Sequence, residues 1–267
     1  MTASLWQRLR NWMAPLFPAS YRWPAVDIRS GACQFHLVGS IHMGTRDMQP
    51  LPVRLLQQLQ NADALVVEAD ITQGGSPFDD TEVCPPLSVR MDEGTLAKLD
   101  ALCNETGLSL TQFDTSPAWQ IALMLQARQA QRLGLRPDYG IDYQLLQAAR
   151  SLQKPVIELE GADAQITLLK SLPDNGMALL QDTLTHWHTN ARMLQTMVSW
   201  WLESPPREPQ IALPATFSQT LNDTLISQRN REWRGRLQTL PAGRYVVAVG
   251  ALHLYGENNL PALLRAE

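Results

Sequence analysis

The sequence contains too few cysteines for a disulfide-rich or zinc-ribbon protein. Only three cysteines, Cys33, Cys84 and Cys103, occur in 267 residues, and none of them forms a C-x-x-C pair. Both classes of protein require closely spaced cysteines that can pair or share a metal. A fold built around an ordinary hydrophobic core is therefore expected, which agrees with a hydrophobic content of 45%.

An excess of positive charge is also missing. Lys and Arg together number 22 against 26 Asp and Glu, which gives a net charge of −4. A protein that binds nucleic acid by neutralising phosphates needs a basic surface. The composition therefore predicts that nucleic acid is not a partner.

Long hydrophobic runs are absent as well. No run approaches the 18 apolar residues of a transmembrane helix, so no transmembrane segment is predicted. Near the N-terminus, Arg8, Arg10 and Asn11 interrupt the apolar stretch that a secretory signal requires. We expect residues 1–20 to form a short helix docked on the domain, or alternatively a membrane-surface helix. Residues 21–267 are expected to form a single domain of a cytoplasmic protein.

The sequence motifs of several large enzyme classes are not found. The chain has no G-x-S-x-G elbow, no P-loop and no dinucleotide-binding G-x-G-x-x-G. Serine α/β-hydrolases, P-loop NTPases and typical NAD enzymes are therefore disfavoured. The cysteines have no evident base partner, so a thiol nucleophile is not predicted either.

The hydrophobic pattern that is present predicts an α/β domain with a mixed sheet, flanking helices and a helical middle. Short apolar runs predict strands at 33–39, 64–70, 156–160 and 244–249. Helical spacing of apolar residues predicts helices at 50–61, 92–106, 117–134, 140–152, 176–202 and 216–239. The first two strands and the helix between them form a βαβ unit, which usually sets its strands parallel in one sheet.

One local pattern occurs twice: a strand, a glycine, two further residues and a histidine. The first copy runs from Gly39 to His42 and the second from Gly250 to His253. Each glycine allows a tight exit from its strand, and sites in open α/β sheets form outside the carboxyl ends of the strands. If the two strands are parallel neighbours, both imidazoles point into one crevice. Glu68, near the end of the strand at 64–70, is then expected to join them.

Two imidazoles and a carboxylate with an open position match the ligand set of a catalytic metal. The predicted ligands of a divalent Mn, Co or Zn ion are therefore His42, His253 and Glu68. In this interpretation Glu68 or His42 also acts as a base toward a metal-bound water. The alternative is structural: histidines bonded to backbone, and a Glu68 that caps a helix or forms a salt bridge.

Several other polar and aromatic residues have simpler interpretations. Glu158 and Glu160 share a strand face, and Glu160, nearer the strand end, either faces the crevice or belongs to a solvated face. Asp142 is interpreted as the N-cap of the helix at 140–152, with a catalytic role as the alternative. The tryptophans at 187, 200 and 201 are expected in the core or at a partner-facing surface, and the helix that carries them is the candidate face for a homodimer.

Six separate segments resemble the TraB/GumN family, which is also called TraB/PrgY. The segments are GSIHMG (39–44), VVEAD (66–70), GID (140–142), the stretch 160–165, QRN (228–230) and VGALHLYGENNL (249–260). The resemblance covers the chain from about residue 20 to its end. It implies a fold like that of the erythromycin esterases and the haem-binding ChaN proteins, with a hydrolase site built on the two G-x-x-H motifs.

The animal Tiki proteases resemble this family and imply a metal-dependent peptidase that acts on peptides or other small substrates. The resemblance adds Arg229 and Asn230 to the site. Arg229 is expected to bind substrate or an oxyanion, with Asn230 and Glu160 as further substrate-binding residues. Two alternatives stay open: a metal-independent, esterase-like hydrolase in which His42 is the base and Glu68 orients it, and a haem- or peptide-binding protein without turnover.

Overall fold

A five-stranded mixed sheet forms the centre of the fold. The computed structural model describes residues 21–73, 82–206 and 211–266. The strands are β1 (Ala25–Ser30), β2 (Cys33–Ser40), β3 (Ala64–Val67), β4 (Val156–Glu158) and β5 (Gly243–Gly250). The helix predicted within residues 1–20 lies outside the described residues.

The sheet has the strand order β1-β2-β5-β3-β4. β1 pairs antiparallel with β2, and the other neighbours are parallel. The four predicted strands are confirmed, and so is the expectation that the strands of the doubled motif are neighbours. The strand that carries Glu68 is separated from β2 by β5, which occupies the centre. The sequence analysis missed β1, an edge strand in which the polar Asp27 and Arg29 interrupt the apolar pattern.

Helices flank the sheet and form most of the middle of the chain. The α-helices are α1 (Val53–Asn61), α2 (Leu87–Arg90), α3 (Glu93–Thr106), α4 (Ala118–Arg132), α5 (Ile141–Ser151), α6 (Ala162–Lys170), α7 (Pro173–Thr185), α8 (Trp187–Leu202), α9 (Gln219–Asn222), α10 (Arg229–Gln238) and α11 (Leu260–Arg265). A π-helical turn (Asp223–Gln228) joins α9 to α10, and short 3₁₀ turns occur at Arg46–Met48, Leu110–Phe113, Pro137–Tyr139 and Ala251–His253. Among the described helices, none has the length and apolarity to cross a membrane.

The buried side chains form two hydrophobic clusters. The larger cluster packs on the sheet and includes Phe35, Leu65 and Val247. The smaller cluster lies among α3, α4 and α7 and is centred on Trp119 and Leu180. The helical middle of the chain therefore has a core of its own beside the sheet.

The prediction of one long helix over 176–202 is wrong, because the chain forms two helices there, α7 and α8, that meet at His186. Trp187, just after the break, is buried in the smaller cluster, whereas Trp200 and Trp201 are buried in the larger one. A change of direction at His186 lets consecutive segments pack into different cores. The expectation that these tryptophans are core residues is confirmed.

Candidate functional site

The two G-x-x-H motifs lie side by side at the carboxyl edge of the sheet. Ser40, inside the first motif, is opposite Gly250, which begins the second. A Cβ atom at Gly39 would lie 3.1 Å from the Cα of Ala251, so the glycine permits the close approach of the second motif. The predicted meeting of the two motifs is therefore found, although their histidines occupy different surroundings.

His253 is buried, with 3% of the residue exposed. The side-chain nitrogen of Asn230 donates to the carbonyl of Asn258 at 3.0 Å, so its oxygen faces His253 Nδ1 at 2.8 Å. An amide oxygen only accepts, and the proton of His253 therefore resides on Nδ1. Burial lowers the pKa of His253 to about 4, so the ring is neutral at pH 7. Its Nε2 lone pair faces Nη1 of Arg229 at 3.4 Å.

Glu68 is buried at the end of β3 and accepts three hydrogen bonds. Its Oε1 accepts from the backbone N–H of Gly250 at 2.7 Å. Its Oε2 accepts from Arg229 at 2.6 Å and from Gln165 at 3.2 Å. Burial by itself would raise the pKa of Glu68, but His253, Arg229, His42 and the Gly250 N–H together lower it to about 2. Because His253 is neutral at pH 7, Arg229 and the protonated His42 supply the compensating charge there.

Arg229 is the centre of the buried half of the site. It makes a two-pronged contact with Glu160, from Nε at 2.8 Å and from Nη2 at 2.9 Å, and Nη2 also donates to Glu68. Nη1 donates to the carbonyl of Leu225 at 3.2 Å and faces His253. All five N–H groups of the guanidinium are thus directed at protein acceptors. The contacts fit a residue that holds Glu68 and His253 in place better than one with free donors for a substrate.

Glu160 and Asn230, both predicted to bind substrate, contact protein groups instead. Glu160 accepts from Nε1 of Trp233 at 2.7 Å in addition to its contact with Arg229. The Trp233 ring lies 4.4 Å from the ring of His253 and 4.6 Å from the guanidinium carbon of Arg229. Asn230 is fully buried. Glu160, Asn230 and Trp233 therefore hold Arg229 and His253 in position through these contacts.

His42 has the opposite environment, because 64% of its side chain is exposed. Its Nδ1 lies 2.9 Å from Oδ2 of Asp142, whose side chain is only 8% exposed. The negative charge of Asp142 raises the pKa of His42 to about 9. With Nδ1 turned toward Asp142, Nε2 is the ring nitrogen available to a ligand.

The interpretation of Asp142 as a helix N-cap is wrong, because Gly140 is the N-cap of α5 and Asp142 lies in its first turn. A Cβ atom at Gly140 would overlap the carbonyl oxygen of His42, so only glycine permits this approach. The N–H of Ile141 donates to the carbonyl of Ile41 at 2.9 Å. The G-I-D segment thereby fixes the start of α5 to the first G-x-x-H motif and delivers the carboxylate to His42.

A cavity of about 430 Å³ opens beside these residues. His42, Glu68, Arg229 and Gln165 form its polar end. The remaining lining is aliphatic and comes from α4, α6, the π-helical turn and the segment after β3; it comprises Ala69, Ile71, Leu123, Ala162, Ile166, Leu168, Leu169 and Leu225. A concave apolar site with a few convergent polar groups is the usual form of a small-molecule site.

The sequence analysis missed three contributors to this site. Asp142 was assigned another role, while Gln165 and Trp233 received none. Gln165 was inside a segment that carries the family resemblance, which was the available signal. Trp233 lies one helical turn after Arg229, at a spacing that places both on one face of α10.

The predicted metal ligands do not form a coordination set in this arrangement. In the described parts of the chain, no group of three or more His, Cys, Asp or Glu side chains is placed to hold a metal ion. Glu68 Oε2 and His253 Nε2, the atoms that a cation would need, both face the guanidinium of Arg229. An ion bound to both would have to displace this positive charge.

Comparison with known proteins finds two relatives of similar length and one family. The chain is 59% identical over 259 residues to the uncharacterized protein YbaP of Escherichia coli (strain K12), covering 97% of this chain and 98% of YbaP. It is 58% identical over 259 residues to YbaP of Shigella flexneri, with the same coverage. No solved structure shows a significant match. The model of the TraB/PrgY/gumN family matches residues 25–267, from the first strand of the sheet through the whole site, and the chain therefore belongs to this family.

Proposed function

We propose that this protein is a hydrolase of carboxylic esters or amides in which His42, held by Asp142, is the general base. The observation that carries the proposal is the 2.9 Å contact between His42 Nδ1 and a buried carboxylate, made by an imidazole that is otherwise exposed at a cavity. A base oriented by a buried acid, with its second nitrogen available to a ligand, is the arrangement used for proton transfer in hydrolysis.

The reaction needs one proton to move twice. The neutral form of His42, which becomes populated as the pH rises toward its pKa of about 9, accepts a proton on Nε2 from a water molecule. The oxygen of that water attacks the carbonyl carbon of the substrate. The resulting imidazolium is stabilised by the charge of Asp142. His42 then returns the proton to the leaving oxygen or nitrogen as the bond from the carbonyl carbon breaks, which yields an acid and an alcohol or amine.

The buried half of the site supplies a fixed electrostatic environment. Glu68 lines the cavity as a carboxylate and favours the protonated form of His42. Arg229 balances the charge of Glu68, so that this carboxylate repels the developing oxyanion less than an unpaired one would. His253 stays neutral and accepts from Arg229, so it supports the position of the guanidinium.

The metal-dependent peptidase implied by the Tiki resemblance is the competing version of this proposal. It requires Mn, Co or Zn on His42, His253 and Glu68, and therefore a displaced Arg229. Haem or peptide binding without turnover is the other alternative. One experiment distinguishes the three versions.

That experiment measures hydrolysis of a panel of activated esters, amides and peptides by the wild-type protein, His42→Ala and His188→Ala. His188 is an exposed histidine on α8 and serves as the matched control. Each protein is assayed after dialysis against a chelator and again after addition of Mn, Co or Zn. We expect ester or amide cleavage that survives chelation, is retained in the control and is lost in His42→Ala.

Activity that disappears on chelation and returns with a metal would replace our version by the metal-dependent one. Cleavage that persists in His42→Ala would contradict the assigned base. An absence of turnover on the whole panel, together with a Soret band on haem titration, would favour the binding protein.

A further inference from the structure

We propose that the cavity binds an uncharged aliphatic group of the substrate, so that the natural substrates are esters or amides with an aliphatic acyl or alkyl chain. The inference rests on the proposed function for the reaction, but its main observation concerns packing. Helix α6 has an aliphatic face, yet none of its residues is buried in the protein core.

The sequence of α6 has the pattern of a helix that should bury one side. Ala162, Ile166 and Leu169 are spaced by four and three residues and therefore share one face with Gln165. Yet no residue of α6 is buried, and these four all line the cavity. In a globular protein such a face normally packs against other apolar side chains. Here Leu169 packs partly against the smaller cluster, and the space that Ala162 and Ile166 line is available to a ligand.

The opposite walls have the same chemistry. Leu123 from α4 and Leu225 from the π-helical turn are only partly buried, and both line the cavity. Ile71, 44% exposed, lies at its side nearest the end of β3. Apart from the imidazole of His42 at the polar end, none of the described residues that line the cavity has an aromatic ring. Flexible aliphatic walls suit a chain of methylene or methyl groups better than a ring that prefers stacking partners.

Leu225 connects this wall to the charged centre. Its side chain lines the cavity, while its carbonyl accepts from Nη1 of Arg229 at 3.2 Å. The residue lies in a π-helical turn that runs directly into α10, where Arg229 is the first residue. Turns of this kind often occur at functional sites because they redirect side chains locally. An aliphatic group that contacts Leu225 therefore binds directly beside the charged residues of the site.

The polar end of the cavity disfavours negatively charged groups. Glu68 lines it, and the carboxylates of Asp142 and Glu160 lie directly behind His42 and Arg229. Glu68 and Glu160 share the one guanidinium and Asp142 pairs with His42, so the three carboxylates leave the polar end net negative even when His42 is protonated. A substrate with a free carboxylate next to its scissile bond is expected to bind weakly, and the acid produced by hydrolysis is expected to leave readily.

The test measures binding separately from turnover. Affinities of the wild-type protein for a homologous series of straight-chain methyl ketones, which cannot be hydrolysed, are determined by titration calorimetry. Each added methylene should tighten binding by up to about fourfold until the cavity is filled. Ile166→Trp should move the optimum to shorter ketones. Thr167→Trp, on the exposed side of the same helix, is the matched control and should leave the series unchanged.

Affinity that does not depend on chain length, or an equal effect of both tryptophan variants, would overturn the inference. Should Ile166→Trp fail to fold, Leu169→Ala provides the opposite change, because it enlarges the cavity and should move the optimum to longer ketones. Binding that follows chain length without hydrolysis of any ester would retain this inference and reject the proposed function. Hydrolysis at a rate that does not depend on chain length would reject this inference and retain the proposed function.

Discussion

The two copies of the G-x-x-H motif place chemically different histidines at one edge of the sheet. His42 is 64% exposed and contacts a buried carboxylate, which raises its pKa to about 9. His253 is buried, contacts an amide oxygen, and has its pKa lowered to about 4 by burial. Equal spacing in the sequence therefore does not give equal chemistry.

The difference comes from the elements that pack against each motif. The start of α5 brings Asp142 to His42, and α10 brings Asn230 and Arg229 to His253. A carboxylate favours the charged imidazole, whereas burial beside a guanidinium favours the neutral one. The exposed half of the site is thus suited to proton transfer, and the buried half to holding charges in place.

The strongest test of the difference between the two histidines is to remove the exposed imidazole. His42→Ala should lower the rate of hydrolysis by about 10²–10⁴-fold, because it deletes the general base. Its unfolding free energy should fall by about 1–3 kcal/mol, because the buried carboxylate of Asp142 loses its partner even though the imidazole itself is mostly exposed. Enzyme assays and urea denaturation of the same preparation measure both effects. A large loss of stability with retained activity would reverse the roles of the two halves.

The buried half is tested by removing its cation. Arg229→Met leaves Glu68 and Glu160 without their shared positive partner and should destabilise the fold by about 3–5 kcal/mol. The matched control is Arg231→Met, which removes an exposed arginine of the same helix and should have little effect. Chemical denaturation measures both variants. Equal stability of the two would show that the charge network is not structurally required.

The buried histidine should make the fold sensitive to acid. Its pKa is lower in the folded state than the ordinary value of 6.5, so the stability associated with neutral His253 is present above pH 6.5. That stability is lost as the pH falls from 6.5 through about 4, by an amount on the order of 3 kcal/mol. His253→Gln should flatten this part of the stability profile, whereas His188→Ala should not. Parallel profiles for all three proteins would be incompatible with a neutral His253.

The exposed pair should have the opposite and smaller pH dependence. Because the pKa of His42 is raised, its pairing with Asp142 stabilises the fold below pH 6.5 and is lost as the pH rises through about 9. Water screens the exposed imidazole, so this effect on stability is small. Activity is the better readout, because the rate should rise with pH as His42 loses its proton. Asp142→Asn should move the midpoint of that rise down toward 6.5, and an unchanged midpoint would show that Asp142 does not control His42.

Much of the fold could be predicted because its strands and helices have strong local patterns. The apolar runs of β2 and β5 predicted buried strands, and their terminal glycines predicted the edge at which the site forms. The helix at 176–202 was misjudged because spacing alone cannot show that Trp187 and Trp201 belong to different cores. The polar edge strand β1 has little pattern of its own and depends on its pairing with β2.

The candidate site was predicted in its residues but only partly in its contacts. His42, Glu68, Arg229 and His253 do lie at one edge of the sheet, as expected. The contact of Asp142 with His42 depends on the close docking of α5 across a glycine, for which the only signal in the sequence was the G-I-D segment of the family resemblance. Likewise, the sequence cannot show that all donors of Arg229 are directed at protein groups, because most of its acceptors, such as Glu68 and Glu160, are distant from it in the chain.

The most direct test of this account is a pH titration of the two imidazoles by long-range ¹H–¹⁵N NMR, with signals assigned through His42→Ala and His253→Gln. The account predicts that His42 titrates above 6.5, toward 9, and that His253 titrates below 6.5, near 4, with its neutral form protonated on Nδ1. Two histidines that titrate together near 6.5, or in the reverse order, would contradict the division of the site into an exposed base and a buried charge network.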